Sequence, residues 1–222
     1  CLATVMVLVA GLTVPDIRER PAEFQAQADQ LHRRFWGDPA PEPDRRSEAT
    51  QPARHTAHTG TRKEKETKPS LEGGDFEVLL NLWTYLRAKR RELSGNAFRR
   101  MCRAEYLNFV RFREWEDLVS QLREACKELD LDTSGRGAMP DVLTSILSGL
   151  LSNVGLALEP PAKRPGQGAQ ARRRPLTEYQ GARGARFAIQ PGSSQAKATP
   201  PLVMAFELVE TSRLWARTVA PV

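Results

Sequence analysis

Two segments near the end of the chain decide the fold: TEYQGARGARFAIQPGSS at residues 177–194 and PPLVMAFELVETSRLWARTVAPV at residues 200–222. Within them lie three runs that are rich in aliphatic and aromatic residues and bounded by Gly, Pro, Ser or Thr, as strands are. These runs are Arg186–Gln190, Leu202–Val209 and Arg213–Val219, and Thr177–Ala182 is a weaker fourth candidate. The short Glu210–Ser212 segment suits a hairpin connection. Together the runs predict a small β-barrel.

Among barrels of this size, the OB-fold is the one that most often holds single-stranded nucleic acid. The charge distribution agrees with such a ligand. Residues 159–222 contain 10 Lys and Arg against 4 Asp and Glu, whereas residues 1–158 contain 23 of each. The net charge of +6 therefore comes from the strand-rich end, where it favours phosphate binding through counterion release. A solubilising surface with a basic linker is the alternative explanation of the same charge.

Apolar residues at helical spacing predict a bundle of helices before the strands. Leu2–Val14 is typical of a buried helix, since it is too short to span a membrane, and a second helix is expected to begin at Pro21. Residues 75–131 continue the helical pattern, with Ser94 or Asn96 as a cap. A short last helix is expected from Val142 to about Asn153, capped by Asp141.

The predicted fold class is α+β, with an N-terminal helical bundle followed by a small antiparallel OB-like β-barrel. Low aliphatic content and mixed charge between the helices predict disorder, and a Pro-, Gly- and Arg-rich run predicts a linker. The predicted segments are 1–36 (first helices of the bundle), 37–74 (disordered insertion), 75–158 (remainder of the bundle), 159–176 (basic linker) and 177–222 (OB-like domain).

The sequence contains no catalytic constellation. It has no GxxxxGK[ST] loop, no DEAH-like acidic motif and no GxSxG elbow. Its three cysteines, Cys1, Cys102 and Cys126, show no CxxC spacing and suit a reducing compartment rather than a disulfide framework or a metal site. We therefore expect the chain by itself to be catalytically inactive and to hold no cofactor or metal ion.

Six motifs in order carry a resemblance to a known family. An apolar first helix is followed by RERPAEFQAQADQLHRRF, by NLWTYLRAKRRELSGNAFRRMCRAEYLNFVRFREWEDLVSQL, by ILSGLLSNVG, by EYQGARGARFAIQPGSS and by LVMAFELVETSRLWARTVA. In this order the chain resembles the C-terminal accessory region of bacterial DEAH-box RNA helicases of the HrpA type, where a helical ratchet domain precedes an OB-fold. The 37–74 segment departs from that family, which has a short connection there.

The resemblance implies an RNA-binding accessory module of a cytoplasmic, ATP-dependent RNA helicase. Its partners would be single-stranded RNA, which it would clamp during translocation, and the RecA-like motor domains of the same parent chain. Those domains, absent from this sequence, would bind ATP and Mg²⁺; no membrane is involved. A free-standing single-strand nucleic-acid-binding protein and a protein-interaction scaffold are the alternatives.

The same resemblance implies which residues contact RNA, and each of them also has a structural explanation. On the barrel, the loop after FAIQPGSS and the arginines before it would approach the strand. On the helical side, basic and small polar residues would line its path. The candidates are Arg183, Arg186, Ser193, Ser194 and Lys197 on the barrel, and Arg103, Arg113 and Asn153 on the helical side.

Overall fold

The computed structural model describes residues 1–37, 71–135, 137–159 and 176–222. Within these residues the α-helices come first and the β-strands follow, so the predicted α+β class is confirmed. The helices are α1 (Leu2–Thr13), α2 (Gln25–His32), α3 (Gly74–Glu92), α4 (Gly95–Ala104), α5 (Phe109–Glu128) and α6 (Met139–Leu147). The strands are β1 (Val154–Ala157), β2 (Glu178–Gly181), β3 (Arg186–Ile189), β4 (Leu202–Glu210) and β5 (Leu214–Pro221).

An apolar core joins α1, α3 and α5. Trp115 of α5 is fully buried, and its indole Nε1 donates a hydrogen bond of 2.8 Å to the carbonyl of Val7 in α1. Gly11 allows this approach, because a Cβ there would lie only 2.5 Å from the Trp115 ring. Burial of such large rings is a main source of stability for the bundle. Thus α1 is largely an internal helix, as its apolar sequence predicts.

Side-chain caps fix where two of these helices begin. Of the two residues predicted as candidates, Ser94 and Asn96, it is Ser94 that caps α4, its hydroxyl accepting a hydrogen bond from the Ala97 amide at 3.4 Å. Asn108 caps α5 through its side-chain carbonyl, which accepts from the Arg111 amide at 3.0 Å. Each cap satisfies an amide that has no partner within the helix.

The last helix differs from its prediction. It begins at Met139 rather than at Val142, with Ala138 as its N-cap, because Pro140 suits the first turn and Asp141 complements the helix dipole there. It ends at Leu147, before Gly149, and the expected continuation to Asn153 is instead a 3-10 turn over Leu151–Asn153. This early end leaves the following residues free to form a strand.

The strands close into a barrel in the order β1-β2-β3-β5-β4, and β4 pairs back onto β1. All the pairings are antiparallel except the parallel pairing of β3 with β5. This is the five-stranded barrel expected of an OB-fold, with one parallel pairing that the sequence did not predict.

Two stacked aromatic rings fill the barrel. Tyr179 and Phe187 are buried, with ring centroids 5.7 Å apart. Gly155 of β1 leaves room for them, since a Cβ at that position would lie 2.3 Å from the Phe187 ring. The Tyr179 hydroxyl donates a hydrogen bond to the Pro200 carbonyl at 2.9 Å. Burial raises the pKa of Tyr179 to about 12 because the phenolate would be desolvated.

The barrel begins earlier in the chain than the predicted domain at 177–222. Strand β1 lies at Val154–Ala157, within the 75–158 range that the sequence assigned to the bundle, and it pairs with β2 and β4. A strand of four residues directly after a helix gives little periodicity to recognise. The predicted 159–176 segment therefore connects two neighbouring strands of one barrel rather than two domains.

Two predictions fall mainly on residues that the structure does not describe. Residues 38–70 of the predicted disordered insertion (37–74) lie outside the described ranges. So do residues 160–175 of the predicted basic linker (159–176). Among the helices that are described, none is both long enough and apolar enough to cross a membrane.

Candidate nucleic-acid interface

The outward-facing side chains of the barrel follow from strand register. In antiparallel and parallel pairs alike, residues directly opposite each other point to the same face of the sheet. Gln180 stands opposite Arg186, and Ala188 stands opposite Trp215. Because Phe187 points into the core, Arg186 and Ala188 lie on the outer face of β3 with Trp215 beside them, although Ala188 is covered there and only 1% exposed. The outer surface of β2, β3 and β5 therefore combines basic and aromatic residues with one carboxylate, that of Glu178, which stands opposite Ala188.

Arg183 and Arg186 lie together at the β2–β3 end of this surface. Arg183 is in the 3-10 turn Ala182–Gly184 that joins the two strands, and Arg186 is the first residue of β3. Both are exposed, and neither forms a salt bridge with another described residue. Exposed Glu178 stands opposite Ala188 on the same face but forms no ion pair with either arginine, so both positive charges are available to a phosphate group.

Arg213 and Trp215 extend the surface onto β5. The Arg213 guanidinium carbon lies 5.5 Å from the centroid of the partly exposed Trp215 ring, a cation–π distance. Both residues lie in the strand predicted from the sequence at Arg213–Val219, and neither is among the predicted site residues. Their signal was the alternation in RLWARTV, which puts residues 213, 215 and 217 on one face of a strand.

Arg217, the third residue of that alternation, is already neutralised. Its guanidinium forms a 3.0 Å ion pair with Glu207, which stands opposite it on β4, and its Nε donates to the Gln190 side-chain carbonyl at 3.2 Å. The outer face therefore offers Arg183, Arg186 and Arg213 as cations for a ligand, and Trp215 as an aromatic surface.

The loop after β3 is bonded to the helical bundle. Ser193 is 8% exposed, and its hydroxyl donates to the Asp75 carboxylate at 2.6 Å. The amide and the hydroxyl of Ser194 each bond to the same carboxylate at 2.7 Å. Their expected contact with RNA stays a prediction, because the structure gives both hydroxyls a protein partner. Lys197, two residues beyond Gln195, is exposed and free to face a ligand.

Asp75 binds the barrel at a second point. Its carboxylate also accepts a 2.9 Å hydrogen bond from the backbone amide of Val219 in β5. Beside it, Gly74 has a φ of +54° and lies so close to β5 that a Cβ would be 2.4 Å from the Val219 carbonyl oxygen. The first turn of α3 thus holds the loop after β3 and strand β5 in fixed positions relative to each other.

A cation from the N-terminal region also lies beside this loop. A Cβ built at Gly192 would be 3.7 Å from Nη1 of Arg20. Arg20 is held by Asp29 through two hydrogen bonds of 2.6 Å, from its Nε and its Nη2. Because Asp29 offsets its charge, Arg20 adds less to phosphate attraction than the arginines on the barrel face do.

The helical candidates lie apart from the barrel arginines along the chain and in different elements. Arg103 is on α4 and Arg113 on α5, both exposed. Asn153 is at the end of the 3-10 turn before β1, and its side-chain amide donates to the Phe206 carbonyl of β4 at 3.1 Å. Asn153 therefore supports the barrel, while Arg103 and Arg113 present charge to solvent.

Comparison with known proteins agrees with this geometry. Residues 142–222 match the family model of the oligonucleotide/oligosaccharide-binding (OB) fold. Over 221 residues, 99% of this chain, the sequence is 36% identical to the ATP-dependent RNA helicase HrpA of Escherichia coli (strain K12). Over 223 residues it is also 36% identical to the ATP-dependent RNA helicase HrpA homolog of Haemophilus influenzae.

The chain spans 13% of the length of each of these relatives. The similarity covers the helical part and the barrel alike, since it extends over at least 99% of the chain. The resemblance drawn from the sequence motifs is therefore confirmed: this chain, whose residues 142–222 match the OB-fold model, is similar from end to end to one segment of the HrpA-type ATP-dependent RNA helicases.

Proposed function

We propose that this chain is the RNA-binding accessory module of an ATP-dependent RNA helicase of the DEAH-box, HrpA-like type. In this proposal it acts in the cytoplasm and clamps single-stranded RNA while motor domains elsewhere in the parent protein move along it. The observation that carries the proposal is the outer face of the barrel. There, Arg213 lies against the partly exposed Trp215 ring, and Arg183 and Arg186 are at the β2–β3 end of the same barrel. The similar proteins are RNA helicases by name.

The chemistry of that face suits a single strand. Guanidinium groups contact phosphates and release their counterions, which supplies affinity without reading sequence. An indole can stack on any base, because every base has a π-face. Phosphate contacts and stacking carry little sequence information, so we expect binding with little sequence preference. Such tolerance is what a clamp on a moving strand requires.

The proposal places ATP and Mg²⁺ in the motor domains rather than in this chain. No phosphate-cradling GxxxxGK[ST] loop occurs in its 222 residues. Among the described residues, no group of three or more His, Cys, Asp or Glu side chains could hold a metal ion. In the proposed function, RecA-like domains of the parent protein bind the nucleotide, and this module contributes only RNA contacts.

The test is binding of a labelled single-stranded RNA of roughly 8 nucleotides, about the site size of one OB-fold, followed by fluorescence anisotropy at several salt concentrations. We expect the double variant Arg183→Ala, Arg186→Ala to bind more weakly and to reduce the salt slope by about 1.4, since each contact on a single strand contributes about 0.7. Circular dichroism should show an unchanged fold.

The matched control is Arg123→Ala, Lys127→Ala, which removes two exposed cations of α5. This control should leave affinity close to that of the unmodified chain. Equal affinity of both double variants would place the RNA path elsewhere. No binding at any salt concentration would overturn the proposed function and favour a barrel that contacts only protein.

A further inference from the structure

Arg217 of β5 lies on the outer face of the barrel, in line with Arg213 and Trp215, but it has an acidic partner in contact. Glu207 stands directly opposite it on β4, and Nη1 of the Arg217 guanidinium lies 3.0 Å from Oε1 of the Glu207 carboxylate. Among the described residues, Arg213 has no such ion pair. The two arginines of this face therefore differ in what they offer a ligand.

Gln190 holds the same arginine from the other neighbouring strand, since β5 lies between β3 and β4. Gln190 directly follows β3, and its backbone amide donates a hydrogen bond of 3.0 Å to the Ala216 carbonyl of β5. Its side-chain carbonyl accepts a 3.2 Å hydrogen bond from Nε of Arg217. Because the guanidinium is planar and its N–H donors have fixed directions, the contacts at Nε and Nη1 define its orientation.

The ion pair is open to solvent. The Arg217 and Glu207 side chains are 47% and 45% exposed, so water screens their attraction, and such pairs add little to stability. The two strands are held together by their backbone pairing and by buried residues of their inner faces, among them Ala205 of β4 and Val219 of β5, which stand opposite each other. A change at Glu207 should therefore alter the chemistry of the outer face without unfolding the barrel.

A carboxylate and a phosphate are alternative ligands for one guanidinium, since both accept its N–H groups through two oxygens. Strand pairing keeps Glu207 beside Arg217, so the carboxylate competes at a high effective concentration. A phosphate that approaches Arg217 must displace this carboxylate, and the same negative charge repels it. Glu207 therefore lowers the affinity of this part of the face for a polyanion.

We propose that Glu207 is an intrachain competitor of RNA: it withholds Arg217 from the phosphates of a bound strand and so limits how tightly the barrel face binds. This inference rests on the proposed function and adds to it a residue that sets affinity. Loss of the Glu207 charge should turn Arg217 into one further phosphate contact. Such a limit suits a clamp whose strand must move, because each contact has to be broken again.

The experiment measures the affinity of a labelled single-stranded RNA of roughly 8 nucleotides, about one OB-fold site, by fluorescence anisotropy over a series of salt concentrations. Glu207→Gln removes the charge and keeps the size of the side chain. We expect it to bind RNA roughly two- to fivefold more tightly, as the loss of one exposed ion pair allows. Its salt slope should be steeper by about 0.7, the value of one contact on a single strand.

Three further variants separate a released arginine from a general change of charge. In Glu207→Gln, Arg217→Gln the salt slope should return to that of the unmodified chain, because no arginine is left to release. Arg217→Gln alone should also keep that slope, since the unmodified chain withholds this arginine. Glu178→Gln removes the same charge from the same face but frees no arginine, because Glu178 has no ion pair among the described residues. Its salt slope should therefore stay unchanged.

Several results would overturn the inference and leave the RNA site in place. An unchanged salt slope in Glu207→Gln would mean that the carboxylate does not withhold the arginine. A smaller slope in Arg217→Gln would mean that phosphate displaces the carboxylate in the unmodified chain. An equal increase in Glu178→Gln, or one that persists in the double variant, would trace the effect to net charge. If the unmodified chain binds no RNA at any salt concentration, the proposed function fails and this inference with it.

Discussion

The carboxylate of Asp75, in the first turn of α3, accepts a 2.6 Å hydrogen bond from the hydroxyl of Ser193, 118 residues later in the chain. The same carboxylate also bonds the amide and hydroxyl of Ser194 and the amide of Val219. One side chain of the helical bundle thereby fixes both the loop after β3 and strand β5. The barrel face proposed to bind RNA includes β3, which leads into that loop, and β5. The geometry of the face therefore depends on Asp75.

Replacing Asp75 should therefore weaken the whole fold. In Asp75→Ala, the amide of the fully buried Val219 loses its acceptor, and an unsatisfied buried group costs about 1–3 kcal/mol. With the two serine hydroxyls also released, we expect the free energy of unfolding to fall by about 3 kcal/mol. Urea denaturation of the variant and of the unmodified chain measures this difference in the free energy of unfolding. Asp141→Ala, in the exposed first turn of α6, is the control and should cost less than about 1 kcal/mol; equal losses would contradict this account.

A pair of glycine substitutions tests the close approach of α3 to β5. Gly74→Ala would place a Cβ 2.4 Å from the Val219 carbonyl oxygen at a φ of +54°, so we expect a loss of about 2 kcal/mol or more. Gly95→Ala in α4 meets nothing within 4 Å and should stabilise the chain by up to about 1 kcal/mol through helix propensity. The melting temperature should fall for Gly74→Ala and rise for Gly95→Ala. If Gly74→Ala is as stable as the unmodified chain, α3 and β5 can separate enough to admit the added Cβ.

Substitutions of Trp215 test base stacking separately from phosphate contacts, because they change no charge. If bases stack on its indole, Trp215→Ala should cost about 1–3 kcal/mol of binding free energy for a short single strand. The salt slope should stay as it is, because no cation is removed. Trp215→Phe keeps an aromatic surface and serves as the matched control, with most of the affinity retained. Equal affinity of the alanine and phenylalanine variants in anisotropy titrations would exclude stacking at this residue.

Tyr179 predicts how stability changes in alkaline solution. Burial raises its pKa in the folded chain to about 12, above the ordinary value near 10. The neutral phenol is thus favoured by folding: its contribution is fully present below pH 10 and is lost as the pH rises through 12. Two pH units correspond to about 3 kcal/mol. Tyr179→Phe should flatten the fall in unfolding free energy between pH 10 and 12.

Tyr85 also contributes to the decrease in the free energy of unfolding between pH 10 and 12, so Tyr179→Phe alone should not abolish this decrease. Burial, together with a hydrogen bond to Glu105, raises the pKa of Tyr85 to about 12 as well. The double variant Tyr85→Phe, Tyr179→Phe should therefore be flatter still. Denaturation profiles with the same slope in all three proteins would mean that neither phenol is linked to folding in this range.

The sequence was informative where one short stretch determines structure. The short apolar runs in LVMAFELVE and RFAI predicted strands β4 and β3 within a residue of their ends, because such runs bounded by turn residues are typical of strands. The cap of α4 was narrowed to Ser94 or Asn96, because residues with short polar side chains are preferred at the start of a helix. Strand β1 was missed, since its four residues follow a helix and pair with partners far along the chain.

The long-range contacts of the candidate site could not be read from the sequence. Asp75 reads locally as an acidic residue that complements a helix dipole, and nothing nearby indicates its partners at Ser193, Ser194 and Val219. Trp215 and Arg213 were within reach of the strand pattern, but only the pairing of β3 with β5 shows that they join Arg186 on one face. The serines were selected through a resemblance, which carries no information about their hydrogen bonds.

Because β1 belongs to the barrel, the basic run between residues 159 and 176 joins two paired strands. Ala157 pairs with Tyr179, and the Leu158 amide donates to the Glu178 carbonyl at 2.8 Å, so both ends of that run are anchored side by side. A protease that cut the chain there would leave two pieces still interlocked through β1, β2 and β4. The nicked protein should migrate as one species in a native gel and separate only when denatured, unlike two domains released from a tether.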